Sequence, residues 1–284
     1  MTASDRCASP IVRDVDGDEA AGSPQVDGAD AEFLERIRGA FGEEALARLG
    51  VLRLPSGFKL SVVMPAYNER QTIAEIIRRV QAAPIPKEII VVDDGSRDGT
   101  REILEELDAA GVVRLVAHER NQGKGAALRS GLQAVSGDIV VIQDADLEYN
   151  PADYPRLIQP LIDGRADVVY GSRFLGDTAR VHLFWHRVAN WLLTTMSNVT
   201  TNLNLTDMET GYKAFRAEAI AGIQIKQNGF GVEPELTAKF ARRRLRIYET
   251  AVSYAGRDYA SGKKIGLKDA FVAIACILRY AIAD

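Results

Sequence analysis

Between residues 59 and 142, short apolar runs alternate with stretches in which apolar residues recur at helical spacing. The apolar runs cover residues 59–64, 88–92, 112–117 and 138–142, and the helix-like stretches cover residues 72–83, 100–110 and 125–135. Apolar runs of this kind are typical of strands buried on both faces, and their alternation with helices is typical of a parallel sheet. We therefore expect an α/β fold with a mostly parallel sheet, helices on both faces, and a ligand site beyond the carboxyl ends of the strands.

Charge divides the chain into regions of different character. Residues 1–30 contain seven acidic and two basic residues, whereas the whole chain of 284 residues has a formal net charge of -4, so the remainder is close to neutral. The acidic segment has no aromatic residue and lacks the apolar surface that would offset the entropy of ordering. The regions that we expect are a disordered acidic tail over 1–30, a helical extension over 31–56, a catalytic domain over 57–267 and a C-terminal apolar helix over 268–284.

The formal net charge of -4 and the sequence pI of about 5.6 argue against nucleic acid as the main partner, because binding to the phosphate backbone usually needs a basic domain. Cys7 and Cys276 have no metal-binding or disulfide spacing, which is typical of a reducing compartment. The N-terminus lacks the apolar core of a secretory signal, and the apolar run 270–278 is shorter than the roughly 20 residues of a spanning helix. We expect a cytoplasmic protein.

Polar and aromatic side chains follow the first two predicted strands. Tyr67 could stack on a base, and the side chains of Asn68, Glu69, Asp93 and Asp94 could hydrogen bond to a base or a ribose. Neither loop matches the glycine pattern GxGxxG, and the P-loop pattern does not occur, so these two kinds of nucleotide site are not expected. The same residues could instead form only a turn and a helix cap, and the sequence leaves both interpretations open.

The fourth predicted strand ends in a group of carboxylates. Asp144 and Asp146 are two residues apart, so an extended backbone would point them the same way, and Glu148 follows. Carboxylates that lie close together repel unless a cation neutralises them, and hard oxygen ligands select Mg²⁺ or Mn²⁺. We expect up to three carboxylates to converge on a divalent cation here; a solvated acidic loop is the alternative.

Five motifs in a fixed order give the chain a family resemblance. They are VMPAYNE at 63–69, VDDGSRDGT at 92–100, NQGKG at 121–125, DAD at 144–146 and GSRF at 171–174. Over about residues 59–265 the chain resembles the inverting family 2 glycosyltransferases, and within them the branch that is similar to dolichol-phosphate mannosyltransferases and acts on polyprenyl phosphates. The resemblance implies a GT-A fold, a nucleoside-diphosphate sugar as donor, and Mg²⁺ or Mn²⁺ as cofactor.

The resemblance also implies which residues bind the donor. Those around the nucleotide sugar would be Pro65, Tyr67, Asn68, Glu69, Asp93, Asp94, Lys124, Asp144, Ala145, Asp146, Arg257 and Lys263. Asp144 and Asp146 would be metal ligands, and Glu148 stands where the polyprenyl-phosphate branch often has a Gln ligand. Arg257 and Lys263 match an Arg and a Lys that close over the diphosphate, and two cations beside a departing diphosphate also make independent physical sense.

On the acceptor side, the resemblance implies that Arg173 binds a lipid phosphate, together with Arg187 on the helix predicted after it. His182 and His186 replace an arginine and a serine of the family pattern. The two histidines stand about one turn apart on this helix, where they could bind phosphate or could only cap the helix and line a groove.

Asp207 and Glu209 lie where a related enzyme with a hydroxyl acceptor would keep its general base. A hydroxyl nucleophile needs a base to remove its proton, whereas a phosphate acceptor is already ionised at neutral pH. The two acids join Asp144, Asp146 and Arg173 as candidate catalytic residues, and their presence leaves the acceptor open.

The stretch 184–205 is predicted to form an amphipathic helix that carries both tryptophans of the chain. Its apolar stripe consists of Trp185, Val188, Leu192, Met196, Val199 and Leu203. Together with the basic region 239–268 and the C-terminal helix, this stripe could contact a membrane surface. The alternative is that the stripe packs on the core of the domain.

We therefore expect a metal-dependent inverting hexosyltransferase. It would move a sugar from a UDP- or GDP-linked donor to a polyprenyl or dolichyl phosphate at the cytoplasmic face of the membrane. One alternative keeps the donor chemistry but uses a saccharide or another hydroxyl acceptor. A weaker alternative is a non-catalytic protein that binds a sugar nucleotide.

Overall fold

The computed structural model describes residues 54–176, 184–256 and 267–282, together with Arg36, Gly39, Ala40, Gly42 and Leu52. The expected tail over 1–30 lies outside the described residues. Residues 1–45 and 46–284 form two separate units, and all of the strands and helices named below belong to the second. In the first unit, the four described residues are helical.

Seven strands, eight α-helices and one short 3-10 helix (Pro151–Asp153) make up the described part of the second unit. The strands are β1 (Leu60–Ala66), β2 (Lys87–Asp93), β3 (Arg114–Ala117), β4 (Ile139–Ile142), β5 (Val168–Ser172), β6 (Lys213–Arg216) and β7 (Ile247–Ala251). The helices are α1 (Ile73–Ala82), α2 (Thr100–Ala109), α3 (Lys124–Leu132), α4 (Tyr154–Ile162), α5 (Phe184–Thr201), α6 (Ala217–Ile220), α7 (Val232–Arg242) and α8 (Leu267–Ile282).

The strands form one sheet in the order β3-β2-β1-β4-β6-β5-β7. Only β6 runs antiparallel to its neighbours, and the other pairs are parallel, with Val63 of β1 opposite both Ile90 of β2 and Ile142 of β4. The expected α/β class with a mostly parallel sheet is confirmed. As a consequence, the carboxyl ends of six strands and the amino end of β6 all lie along one edge of the sheet.

The apolar runs of the sequence become the two-sided interior of the sheet. Val62 and Met64 of β1 pack in one core layer with residues of α1, α2 and α4, whereas Val63 packs in the other with Leu128 of α3 and residues of α5, α7 and α8. Successive side chains of a strand point to opposite faces, so a strand covered on both sides needs an apolar residue at almost every position.

The amphipathic helix expected over 184–205 ends earlier, at Thr201. The cause is Asn202, which adopts a left-handed conformation with φ 56°, as residues that terminate helices commonly do. The Asn198 side chain then bonds both the backbone N–H and the carbonyl of Leu205, at 3.0 and 2.8 Å, and fixes the exit of the chain.

The C-terminal helix is observed as α8, which packs on α5 and α7. Its inner face buries Ala273, Cys276, Ile277 and Tyr280. No helix in the described part of the chain combines the length and the apolar character that crossing a membrane requires.

Gly131 of α3 provides a test of this packing. An added Cβ at Gly131 would lie 2.6 Å from Cγ1 of Val63 and 3.0 Å from Cγ2 of Val92, both in the sheet. We expect Gly131→Ala to lower the free energy of unfolding by about 1–2 kcal/mol, because overpacking outweighs the gain in helix propensity. Chemical denaturation checks this. The control is Gly229→Ala, because beyond its two chain neighbours no atom of the described residues would lie within 4 Å of its Cβ. Equal stability of the two variants would contradict the packing argument.

Candidate active site

The loop after β1 is joined to the loop after β2 at the edge where the strands end. Asn68, which has a left-handed φ of 54°, donates its backbone N–H to Oγ of Ser96 and accepts the backbone N–H of Arg97 on Oδ1, each at 2.9 Å. Pro65 and Tyr67 are partly buried beside this junction. The predicted nucleoside residues of the two loops are therefore held next to each other.

Glu69 and Asp98 connect the same two loops to the helices that follow them. The backbone N–H of Glu69 bonds Oγ1 of Thr100, and one of its carboxylate oxygens accepts the hydroxyl of Thr72 at 2.8 Å. Asp98 accepts the backbone N–H of Thr100 at the start of α2, at 3.1 Å. The turn-and-cap interpretation of this segment thus describes part of its role.

Asp93 and Asp94 are buried beneath these loops. Asp93 accepts Nε of Arg101 at 2.7 Å. Asp94 bonds Nδ1 of His118 at 2.7 Å and accepts the backbone N–H groups of residues 122 and 123, which lead into α3. Both carboxylates shape the loops, and a direct contact of either with a nucleotide stays a prediction.

The loop that carries Asp144 and Asp146 is fixed by a buried glutamine that precedes it. Oε1 of Gln143 accepts hydroxyl hydrogen bonds from Tyr154 at 2.9 Å and from Tyr212 at 3.0 Å. Its Nε2 donates to the carbonyl of Asp144 at 3.1 Å. Sequence reasoning missed these three anchors, since the two tyrosines are 11 and 69 residues away from Gln143.

The expected convergence of three carboxylates does not form. No group of three or more His, Cys, Asp or Glu residues able to hold a metal ion occurs among the described residues. Glu148 instead accepts the hydroxyl of Tyr254 at 2.7 Å, while Oδ1 of Asp146 accepts the backbone N–H of Glu148 at 3.1 Å. The reason is the turn after β4, where Leu147 has a φ of 63° and the backbone is no longer extended.

The remaining pair, Asp144 and Asp146, fits Mg²⁺ or Mn²⁺ by the chemistry of its donors. Both are hard carboxylate ligands, and Mg²⁺ usually takes one or two carboxylates and completes its shell with water and substrate phosphates. Ala145 between them is buried and keeps the turn against the core.

A lysine at the start of α3 neutralises Asp144. Nζ of Lys124 lies 2.9 Å from Oδ1 of Asp144 and 3.1 Å from Oε1 of Glu233, the second residue of α7. Burial would lower the pKa of Lys124, but Asp144 and Glu233 outweigh it and raise the pKa above its usual value, so the ammonium stays charged. The sequence had assigned Lys124 to the donor site but gave no sign of Glu233.

Arg173 and Asp207 form a bidentate ion pair. Nε and Nη2 of Arg173 each lie 2.7 Å from a different oxygen of Asp207, and the backbone N–H of Arg173 adds a bond of 3.1 Å. Asp207 is completely buried. Burial would lower the pKa of Arg173, but Tyr149 and Asp207 raise it well above its usual value. One candidate base therefore holds the predicted phosphate-binding arginine in place.

The predicted acceptor-phosphate residues Arg173 and Arg187 are brought together by one aromatic ring. The guanidinium carbons lie 5.7 and 5.6 Å from the centre of Phe174. His186 is partly buried on the same helix as Arg187. The other predicted residues of the diphosphate and phosphate sites, His182, Arg257 and Lys263, lie outside the described residues.

Glu209, the second candidate base, differs from Asp207 in having an unpaired oxygen. Its Oε1 atom is buried and has no hydrogen-bond partner among the described residues. Burial, with a smaller contribution from the nearby charge of Glu233, raises the pKa of Glu209 to about 7. A carboxyl group with this pKa can gain or lose a proton near neutral pH, as a general acid or base must.

Comparison with known sequences points to one family of enzymes. The profile of glycosyl transferase family 2 matches residues 61–223. The chain is 30% identical over 186 residues to a dolichol-phosphate mannosyltransferase of Pyrococcus furiosus, which covers 64% of this chain and 53% of the relative. It is 32% identical over 211 residues to an undecaprenyl-phosphate 4-deoxy-4-formamido-L-arabinose transferase of Pseudomonas savastanoi, which covers 72% and 60%. The chain thus spans little more than half the length of these relatives.

Comparison with solved structures gives neighbours whose names refer to phosphoglycerate rather than to a lipid. Glucosyl-3-phosphoglycerate synthase of Mycobacterium tuberculosis, in complex with Mn²⁺, UDP and phosphoglyceric acid, has a TM-score of 0.63 and 26% identity, covering 81% of this chain and 80% of that one. Mannosyl-3-phosphoglycerate synthase of Rubrobacter xylanophilus has a TM-score of 0.60 at 19% identity, covering 85% and 78%, and supports the fold alone.

The raised pKa of Glu209 predicts a pH-dependent stability. The unfolded chain loses this proton near pH 4.5 and the folded chain near 7, so the wild-type free energy of unfolding should fall as the pH rises between these values. Glu209→Gln has no such proton to lose. We therefore expect the free energy of unfolding of the variant, measured relative to that of wild type, to rise by on the order of 2 kcal/mol between pH 5 and pH 8. Denaturation of metal-free protein at both pH values measures it. The control is Glu105→Gln on the exposed face of α2, and a pH-independent difference for Glu209→Gln would contradict the prediction.

Proposed function

We propose that this chain, which belongs to glycosyl transferase family 2 and has a GT-A fold, transfers a sugar from a UDP- or GDP-linked donor to a polyprenyl phosphate. The transfer would invert the configuration of the anomeric carbon. The choice of a lipid phosphate as the acceptor rests mainly on the position of Arg187 on α5. This arginine shares the Phe174 ring with Arg173, and the outer face of the same helix is apolar. A lipid phosphate has the matching pair of features, an anionic head and an apolar tail.

The donor side of the proposal rests on the joined loops after β1 and β2. Tyr67 and Asn68 would contact the nucleoside, and Asp144 and Asp146 would hold a divalent cation. When bound, such a cation neutralises the diphosphate and makes it a better leaving group. Relatives of known structure contain Mn²⁺ or Mg²⁺ together with UDP, which supports this assignment.

The proposed reaction is a single displacement. An oxygen of the acceptor phosphate, held by Arg173 and Arg187, attacks the anomeric carbon of the sugar. The bond from that carbon to the diphosphate oxygen breaks, and the electron pair leaves with the nucleoside diphosphate. Arg257 and Lys263 are expected from the sequence to neutralise the charge of this leaving group. The phosphate is already ionised, so this route needs no general base; the protein's contribution is position and charge.

The apolar stripe of α5 faces outward rather than into the core. Trp185 and Trp191 are 75% and 65% exposed, Val188, Leu192 and Val199 are exposed, and only Met196 of the stripe on α5 packs against the core. The neighbouring α8 exposes Phe271, Leu278 and Ile282. Exposed tryptophans beside apolar side chains are typical of a membrane interface, and we propose that this surface rests on the cytoplasmic side of a membrane.

A hydroxyl acceptor is the second candidate, and Glu209 favours it. Its buried and unpaired oxygen and its pKa of about 7 suit a general base, which only a hydroxyl nucleophile would need. The mycobacterial neighbour was crystallised with phosphoglyceric acid, a molecule that carries a hydroxyl and a phosphate.

The test of the function is release of a nucleoside diphosphate. Purified protein with Mn²⁺ or Mg²⁺ and a panel of UDP- and GDP-sugars should release it when polyprenyl phosphate is added, and Asp146→Asn should abolish turnover without loss of folding. Asp163→Asn, on the exposed end of α4, is the control. Transfer to phosphoglyceric acid and not to the lipid would select the second candidate, and no turnover with any acceptor would favour the non-catalytic alternative.

The test of the membrane surface is binding to vesicles. Replacing Trp185 and Trp191 together by Ser should weaken co-sedimentation with vesicles of phosphatidylglycerol and phosphatidylcholine by at least about tenfold, because each indole contributes apolar contact area. Tyr248→Ser changes an exposed aromatic residue of β7 and should have little effect. Unchanged sedimentation of the double variant would show that this face does not contact lipid.

A further inference from the structure

Four side chains of alternating charge run from the candidate active site into the core. Asp144 is 2.9 Å from Lys124, and Lys124 is 3.1 Å from Glu233. The other oxygen of Glu233 accepts a hydrogen bond from Lys213, the first residue of β6. Nζ of Lys213 also donates to the carbonyl oxygens of Met208, at 3.2 Å, and Thr210. The charges of the four groups balance.

The outer and the inner members of this chain of charges differ in burial. The side chains of Asp144 and Lys124 keep 22% and 14% of their surface accessible, whereas those of Glu233 and Lys213 keep 4% and 0%. Burial would raise the pKa of Glu233, but Lys213 and Lys124 outweigh it and hold the pKa below its usual value. Glu233 is therefore an ionised group that acts on the site through Lys124.

The space around the outer pair is narrow. A Cβ added at Gly211 would lie 2.1 Å from Oδ2 of Asp144 and 3.2 Å from Nζ of Lys124. A cation that binds Asp144 competes with Lys124 for the same carboxylate, since both are held by its negative charge. Lys124 would then keep one partner, Glu233. Glu233 is in turn fixed by its hydrogen bond from Lys213 on the side toward the core.

We infer that Glu233, fixed by Lys213, is a positioning residue that would keep Lys124 in place beside the donor diphosphate when Asp144 holds a metal ion. Neither Glu233 nor Lys213 needs to touch the ligand. A buried ion pair is a poor source of stability, because desolvation offsets much of its attraction, so a role in placing the charge of Lys124 explains the arrangement better. The inference rests on the proposed use of a nucleoside-diphosphate donor.

A double-mutant cycle on Lys124 and Glu233 tests the inference by binding rather than by turnover. Calorimetry would measure the affinity for UDP and for GDP at saturating Mn²⁺. We expect Lys124→Met and Glu233→Gln each to weaken the nucleotide that wild type binds by about tenfold, and the double variant to be no weaker than Lys124→Met alone, because Glu233 acts through Lys124.

A charge-conserving variant separates position from long-range charge. Glu233→Asp keeps the negative charge but withdraws the carboxylate by one methylene, so it should also weaken nucleotide binding, and only while Lys124 is present. It also serves if Glu233→Gln does not fold. The matched control is Asp167→Asn, which breaks the ion pair with Arg246 at the opposite edge of the sheet and should leave affinity unchanged.

Binding of Mn²⁺ in the absence of nucleotide gives a second readout. It is measured from the electron paramagnetic resonance signal of free Mn²⁺. Lys124→Met should tighten it several-fold, because Asp144 loses its competing cation, and Glu233→Gln should weaken it while Lys124 is present. Additive effects in the cycle, or wild-type affinity in Glu233→Asp, would overturn the inference and leave the proposed function intact. A wild-type protein that binds neither nucleotide would overturn both.

Discussion

The gathering of acidic side chains at one edge of the sheet is the constraint on which the rest of the site depends. Because six strands end there and β6 begins there, Asp144, Asp207, Glu209 and Glu233 approach each other from distant parts of the chain. Unpaired buried carboxylates cost several kcal/mol each, so the fold must supply cations at the same place. Lys124, Lys213 and Arg173 meet this requirement, and Glu209 is the carboxyl group whose raised pKa shows incomplete compensation.

The cations neutralise these carboxylates in two arrangements that differ in rigidity. Arg173 and Asp207 share two short bonds in a fixed geometry, so the guanidinium is oriented before any acceptor arrives. Lys124 is instead shared between two carboxylates at 2.9 and 3.1 Å, so it can lose one partner and keep the other. In the proposed reaction, the first arrangement would offer the acceptor a rigid group, and the second would offer a cation that tolerates a change of charge at Asp144.

Local patterns made the framework predictable, and distance in sequence made the site harder to predict. The apolar runs located β1 to β4 within a few residues, because burial on both faces leaves a direct mark on composition. The fourth apolar run also placed Asp144 just after the end of a strand. Lys124 and Glu233 are 109 positions apart in the sequence, and Arg173 and Asp207 are 34 apart. Neither pairing leaves a periodic signal in the sequence. The prediction that Glu148 converges with Asp144 and Asp146 was wrong because it assumed an extended backbone, whereas a turn forms at Leu147.

If the proposed lipid acceptor is right, helix α5 would meet both the anionic head and the apolar tail of that acceptor. Its side toward the core buries Leu193, Thr194 and Ser197, and Asn190 accepts Nη2 of Arg173 at 3.2 Å, which ties the helix to the site. Its other side exposes the tryptophans, and one helical turn is enough to carry the surface from Arg187 to Trp191. A water-soluble acceptor would gain nothing from this apolar surface, whereas a polyprenyl chain leaving the phosphate would meet it at once. The distribution of side chains around α5 is therefore the strongest reason to test a lipid acceptor first.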